Sequence, residues 1–139
     1  MKQITVIDGQ GGGLGRQLVS EIKKAFPELP LTAVGVNSIA TAAMRKAGAD
    51  QCATGENAVL VAARNSGIIL GPIGVVIADA LLGEITPAMA VAVGQSPARK
   101  ILLPMDQCCV RVAGVTETGF GQLVAKAVEA LGQLLAEEA

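Results

Sequence analysis

The chain has 139 residues, a net charge near −1 and 51% hydrophobic residues, with two Phe as its only aromatics. A chain of this length buries about 70% of its unfolded surface, so a single domain spanning 1–139 with an aliphatic core needs no disulfide or metal staple. The absence of a basic run and of Tyr or Trp for base stacking excludes a nucleic-acid surface, and three cysteines with no secretory leader pattern read as reduced thiols of a cytoplasmic protein.

In chain order, KQITVID (2–8) reads as a buried strand. LGRQLVSEIKKAF (14–26) places Leu14, Leu18, Val19, Ile22 and Phe26 on one helical face, and Pro27 and Pro30 end it. LTAVGVN (31–37) is a second strand. Ser38 is positioned to cap the helix IATAAMRKAGA, which stops at Gly48. DQCA (50–53) is a short third strand, and Thr54 is positioned to cap a helix over 55–65. GIILGP (67–72) is apolar on both faces, as a central parallel strand must be. IGVVIADALLG (73–83) has a helical pattern. Thr86 and Pro87 mark the next helix start, over 84–94. ARKILLPM (98–105) is a fifth strand, and CCVRVAGV (108–115) is a sixth, at an edge, because Arg111 alternates with valines. FGQLVAKAVEALGQLLAEE (120–138) closes the chain as a helix, with Leu123, Ala127, Ala130, Leu131 and Leu134 near one stripe.

Strand–helix alternation from end to end predicts an α/β, three-layer Rossmann-like fold. The sheet is mostly parallel, with five or six strands in the order 3-2-1-4-5 and helices on both faces. The longest uncharged windows fall in 66–98, but Asp79, Glu84, glycines and prolines interrupt them, which excludes a membrane span. The positive mean hydropathy points instead to a homodimer, with the alanine-rich 79–94 region as its covered surface.

Five of the ten residues in IDGQGGGLGR (7–16) are glycine, between a strand and a helix. Glycine admits φ > 0 and lets a ligand touch the main chain. The helix that follows offers unpaired N–H groups and a partial positive charge, which suit phosphate. Each such contact is worth about 0.3–1 kcal/mol, so several amides must act together. A packing role for the glycines alone is the competing explanation.

Gly9, Gly13 and Gly15 have G-x-x-x-G-x-G spacing, which resembles the nucleotide loop of short-chain dehydrogenases and reductases over roughly the first 40 residues. That resemblance implies a turn at Gly9, pyrophosphate approach at Gly13 and helix–strand packing at Gly15. It does not extend to the Tyr-x-x-x-Lys of that family, since the chain has no tyrosine. GGGLGRQ also resembles the deviant phosphate loop of ParA/MinD-type ATPases, KGGxGK[ST]. Here Gly11 replaces the signature lysine, Arg16 the second lysine and Gln17 the magnesium-holding hydroxyl. Taken together, VIDGQGGGLG, ATGENA, LGPIGVVIA, LGEITPAMA and KILLP resemble a family of small bacterial proteins known only as a domain of unknown function. That likeness implies one compact cytoplasmic domain and supplies neither substrate nor catalytic residues.

In an open α/β sheet, ligands bind beyond the carboxyl ends of the strands. The loops that would meet there are 9–15, 37–41, 53–57, 71–74 and 104–107. The candidate nucleotide-binding residues are Asp8, Gly9, Gly11, Gly12, Gly13, Leu14, Gly15, Asn37, Ser38, Thr54, Glu56, Gly71, Pro72 and Gly74. Amides of 11–15 would hold phosphate, Asn37 would contact ribose, and 71–74 would line the base or nicotinamide side. The leading cofactor is NAD or NADP, undecided because Asn37 lacks a carboxylate and no arginine follows closely. For Asp8, accepting N–H bonds from the loop is favoured over binding ribose or a metal. No metal site is expected, because Cys108 and Cys109 are neighbours on opposite strand faces, Cys52 is distant and histidine is absent. Were the protein an enzyme, acid–base work would fall to Asp8, Glu56, Asp79, Glu84 or a cysteine. No spacing among them identifies a reaction.

Overall fold

The computed structural model describes residues 2–104, 110–116 and 119–138. Five parallel strands form one sheet in the order β3-β2-β1-β4-β5, one of the few orders that right-handed crossovers allow. They are β1 (Gln3–Asp8), β2 (Thr32–Gly35), β3 (Gln51–Thr54), β4 (Ser66–Pro72) and β5 (Arg99–Leu103). Helices α1 (Gly13–Ala25), α2 (Ser38–Ala47) and α5 (Phe120–Glu138) cover one face, and α3 (Glu56–Asn65) and α4 (Pro87–Gln95) the other. Among the described residues, no helix is long and apolar enough to cross a membrane.

Period-two alternation along β1 and β4 sorts the core into two halves. Ile4, Val6, Ile68 and Leu70 pack with Leu18, Val19, Ile22, Met44, Val124 and Leu131 beneath α1, α2 and α5. Ile7, Ile69 and Val34 point the other way, against Val59, Ala63, Met89 and Val93. The one polar side chain deep in the middle of β1, Thr5, shares a 2.7 Å hydroxyl bond with Ser66, whose hydroxyl donates to the Ala62 carbonyl at 2.6 Å. Every buried side-chain polar atom among the described residues is partnered, as a dry aliphatic core demands.

Four local expectations change. Asn37, not Ser38, caps α2: its Oδ1 accepts from the Ala40 amide at 2.8 Å. Gly55, at φ 105°, stands at the α3 cap in place of Thr54. Thr54 instead shares a 2.7 Å hydroxyl bond with Thr41. Residues 73–83 are not an α-helix: a 3-10 turn at Ile73–Val76 leads into a tight loop where Asp79, Leu81 and Leu82 all have positive φ. Hydrogen bonds explain the override: the Asp79 amide donates to the Ile85 carbonyl at 2.7 Å and closes the loop on itself, and the Glu84 carboxylate accepts from the Gln10 amide 74 residues away. Residues 110–115 form no sixth strand, and Cys108 and Cys109 lie outside the described residues. At Thr86, by contrast, the side chain accepts from the Met89 amide at 3.1 Å, with Pro87 in the first turn as expected.

Candidate functional site

β1 delivers Asp8 to the carboxyl edge of the sheet, and the chain turns immediately. The turn is made by Gln10 (φ 50°) and Gly12 (φ 74°), with the Gly12 amide donating to the Gly9 carbonyl at 2.9 Å. The buried Asp8 carboxylate stitches both ends of the loop together. Its Oδ1 accepts from the Gly9 amide at 2.8 Å and its Oδ2 from the Gly15 amide at 2.6 Å. Burial pushes the Asp8 carboxyl above its ordinary value; the two amide bonds pull the other way, and the nearby Glu84 charge adds to the upward push.

The glycines divide by what surrounds them. A Cβ on Gly9 would lie 2.7 Å from Val36 Cγ2, one on Gly12 would lie 2.8 Å from the Ala40 Cα, and one on Gly15 would lie 2.8 Å from the Asp8 Cβ. These three let elements close on one another. Gly11 and Gly13 face open space, with nothing within 4 Å of a Cβ position.

The amides divide in a parallel way. Those of Gly9, Gln10, Gly12 and Gly15 are bonded within the protein. Among the described residues, the amides of Gly11, Gly13 and Leu14 have no partner. They open into a cleft of about 190 Å³ whose floor runs from Asp8 to Leu14 and whose walls are Pro72, Gly74, Leu81 and Phe120. An anion placed there would meet three free donors and the positive end of the 13-residue α1.

The candidate residues separate accordingly. Asp8, Gly9, Gly11, Gly12, Gly13, Leu14, Pro72 and Gly74 line the cleft. Gly15 is buried beneath it, and Gly71 is buried within β4. Asn37, Ser38, Thr54 and Glu56 do not line it. Asn37 is fully engaged elsewhere: beyond its cap, its Nδ2 donates to the Gln10 carbonyl at 3.0 Å and to Glu84 Oε2 at 2.6 Å. Glu56 Oε2 accepts from the Thr86 hydroxyl at 2.6 Å, tying α3 to α4. Of the fifth loop, Met105, Asp106 and Gln107 lie outside the described residues.

Three cleft residues, Gln10, Leu81 and Phe120, were not singled out from the sequence, and Glu84 was named there only as a possible acid–base group. Leu81 and Phe120 wall the cleft, and Glu84 bonds to the loop beside it. Phe120 carried a faint signal as one of two aromatics, at the start of the helix that follows the last strand. Leu81 carried none, because its segment reads as a helix, and nothing local pointed Glu84 toward the glycine loop. Among the described residues, no group of His, Cys, Asp or Glu is arranged to hold a metal. The Cys52 thiol packs against the core and is pushed up by burial.

The family model described as Domain of unknown function (DUF3842) matches residues 3–136. No curated protein matches the sequence. Among solved structures the chain is similar to a dodecameric FMN-dependent Ubix-like decarboxylase from Escherichia coli O157:H7, at 18% identity and a TM-score of 0.45, covering 95% of this chain and 77% of that one. A likeness at that level carries no inference about ligand or assembly.

Proposed function

We propose that this chain, which belongs to the DUF3842 family, binds a phosphorylated nucleotide at the glycine loop, with a phosphoryl group on the amides of Gly11, Gly13 and Leu14. The observation that carries this reading is that these three donors are unpartnered among the described residues and line one cleft at the start of α1. Pro72, Leu81 and Phe120 supply an apolar wall suited to the flat face of a base. The cleft's volume of about 190 Å³ is below the roughly 300–1,000 Å³ of pockets that enclose drug-sized ligands. That favours a phosphate-bearing unit seated in the cleft with the rest of the molecule in solvent. NAD or NADP is the dinucleotide form of this reading; the engagement of Asn37 by its own chain favours a mononucleotide.

Calorimetric titration with inorganic phosphate, AMP, FMN and NAD tests the reading, together with Gly13→Val. A side chain at Gly13 enters open space, so the variant keeps its fold while its methyls occupy the phosphate's approach. The expected result is binding of at least one of these probes and a loss of tenfold or more in Gly13→Val at an unchanged melting temperature. Equal affinity in the variant and wild type ends the proposal.

Assembly through the 79–94 region is a second reading, favoured by one observation. Leu82 and Val91 are 96% and 53% exposed within it, and apolar side chains left in water mark surfaces that another chain covers.

A further inference from the structure

We infer that Glu84 is a specificity-determining residue, whose carboxylate seals the β2 side of the glycine loop and restricts the cleft to a single nucleotide unit, excluding a dinucleotide. The inference rests on the nucleotide-binding reading and concerns which member of that ligand class fits. In a Rossmann-like sheet a dinucleotide runs from the glycine loop to the end of β2, where its ribose is held. Here that path is bonded shut. Glu84 Oε1 accepts from the Gln10 amide at 2.5 Å, and Oε2 accepts from Asn37 Nδ2 at 2.6 Å. Asn37, the only β2-end side chain the sequence offered to a ribose, has both its amide and its carbonyl in use.

Two further observations show the closure is built in. A Cβ at Gly9 would lie 2.9 Å from Glu84 Oε1 and 2.9 Å from Leu81 Cδ1, so glycine at that position is what lets the segment seat on the loop. The segment itself holds Asp79, Leu81 and Leu82 at φ between 56° and 68°. Such backbone persists only where the surroundings over-determine it. The two Glu84 bonds and the buried Ala80, Leu81 and Ile85 supply that constraint. A carboxylate fixed there also opposes any second phosphate by like charge.

AMP, nicotinamide mononucleotide and NAD are the probes, since the third contains the first two. In the wild type, NAD is expected to bind no more tightly than the better of its halves. Glu84→Ala is expected to raise the ratio of NAD affinity to mononucleotide affinity at least tenfold. A merely structural role would weaken all three ligands together and leave the ratio unchanged, which overturns the inference. So does a wild type that prefers NAD to both halves. Where Glu84→Ala does not fold, Glu84→Gln decides: its carbonyl can keep the Gln10 bond while its amide faces that of Asn37, and the ratio must still rise. Amide exchange at Gln10 in the free wild type is a separate check, and rapid exchange there also overturns the seal. If none of the three probes nor phosphate binds either protein, the nucleotide reading itself fails, and this inference with it.

Discussion

Asp8 holds the mouth of the site together, and its chemistry predicts a measurable pH effect. The carboxylate accepts from the amides at both ends of the loop. Asn at this position has only one acceptor oxygen, so Asp8→Asn leaves a buried amide unpaired, at a cost of about 1–3 kcal/mol. The folded protein holds the Asp8 proton more tightly than the unfolded chain, because burial outweighs the amide bonds and raises its pKa above 3.8. The proton-linked part of the Asp8 contribution to stability is therefore fully present below about 3.8 and is lost as pH rises through the folded value, separately from the two amide bonds. The gap in stability between wild type and Asp8→Asn should widen as pH falls through that window, measured by urea unfolding at a series of pH values. A gap that narrows contradicts the assignment. Residue identity made part of this legible: a carboxylate directly before a glycine loop was expected to take N–H bonds. That Gly9 serves packing while Gln10 and Gly12 make the turn was not, because spacing does not reveal φ.

The element that reading by periodicity misassigned is the one that shapes the site. Residues 73–83 are apolar at helical intervals, yet they fold as a 3-10 turn and a tight loop because Glu84 reaches the Gln10 amide 74 residues away. Local propensity is a weak prior against such bonds. Leu82 shows the resulting strain: it has φ 56° and is 96% exposed, so its neighbours hold its left-handed backbone and its own side chain adds no packing within the chain. Leu82→Asn should stabilise the fold by up to about 1 kcal/mol, because Asn tolerates that region. The readout is a higher melting temperature; a lower one contradicts the account. The adjoining helix start behaves as its sequence says. Thr86→Ala should lose about 1 kcal/mol, and also the bond that ties α3 to α4 through Glu56.

For the whole molecule, the two open points are ligand and assembly, and both lie on the surface. The exposed Val91 on α4 and Leu82 beside it make a specific expectation for the assembly reading. Light scattering should give twice the chain mass for the wild type and a monomer for Val91→Glu, where a charge enters the apolar face. A wild type that stays monomeric at all concentrations removes that reading and leaves the cleft untouched. Strand order and the two-sided core were legible throughout, since hydrophobic period and crossover handedness leave few alternatives. The sequence by itself thus determined the parallel 3-2-1-4-5 strand order and the glycine loop at its carboxyl edge, because those follow from patterns only a few residues long, while it left the strand count at five or six. Only the tertiary structure decided which loop amides are free, that Asn37 is engaged by its own chain and that Glu84 closes the β2 side. Those outcomes depend on bonds between segments distant in the chain, whose geometry no local pattern encodes.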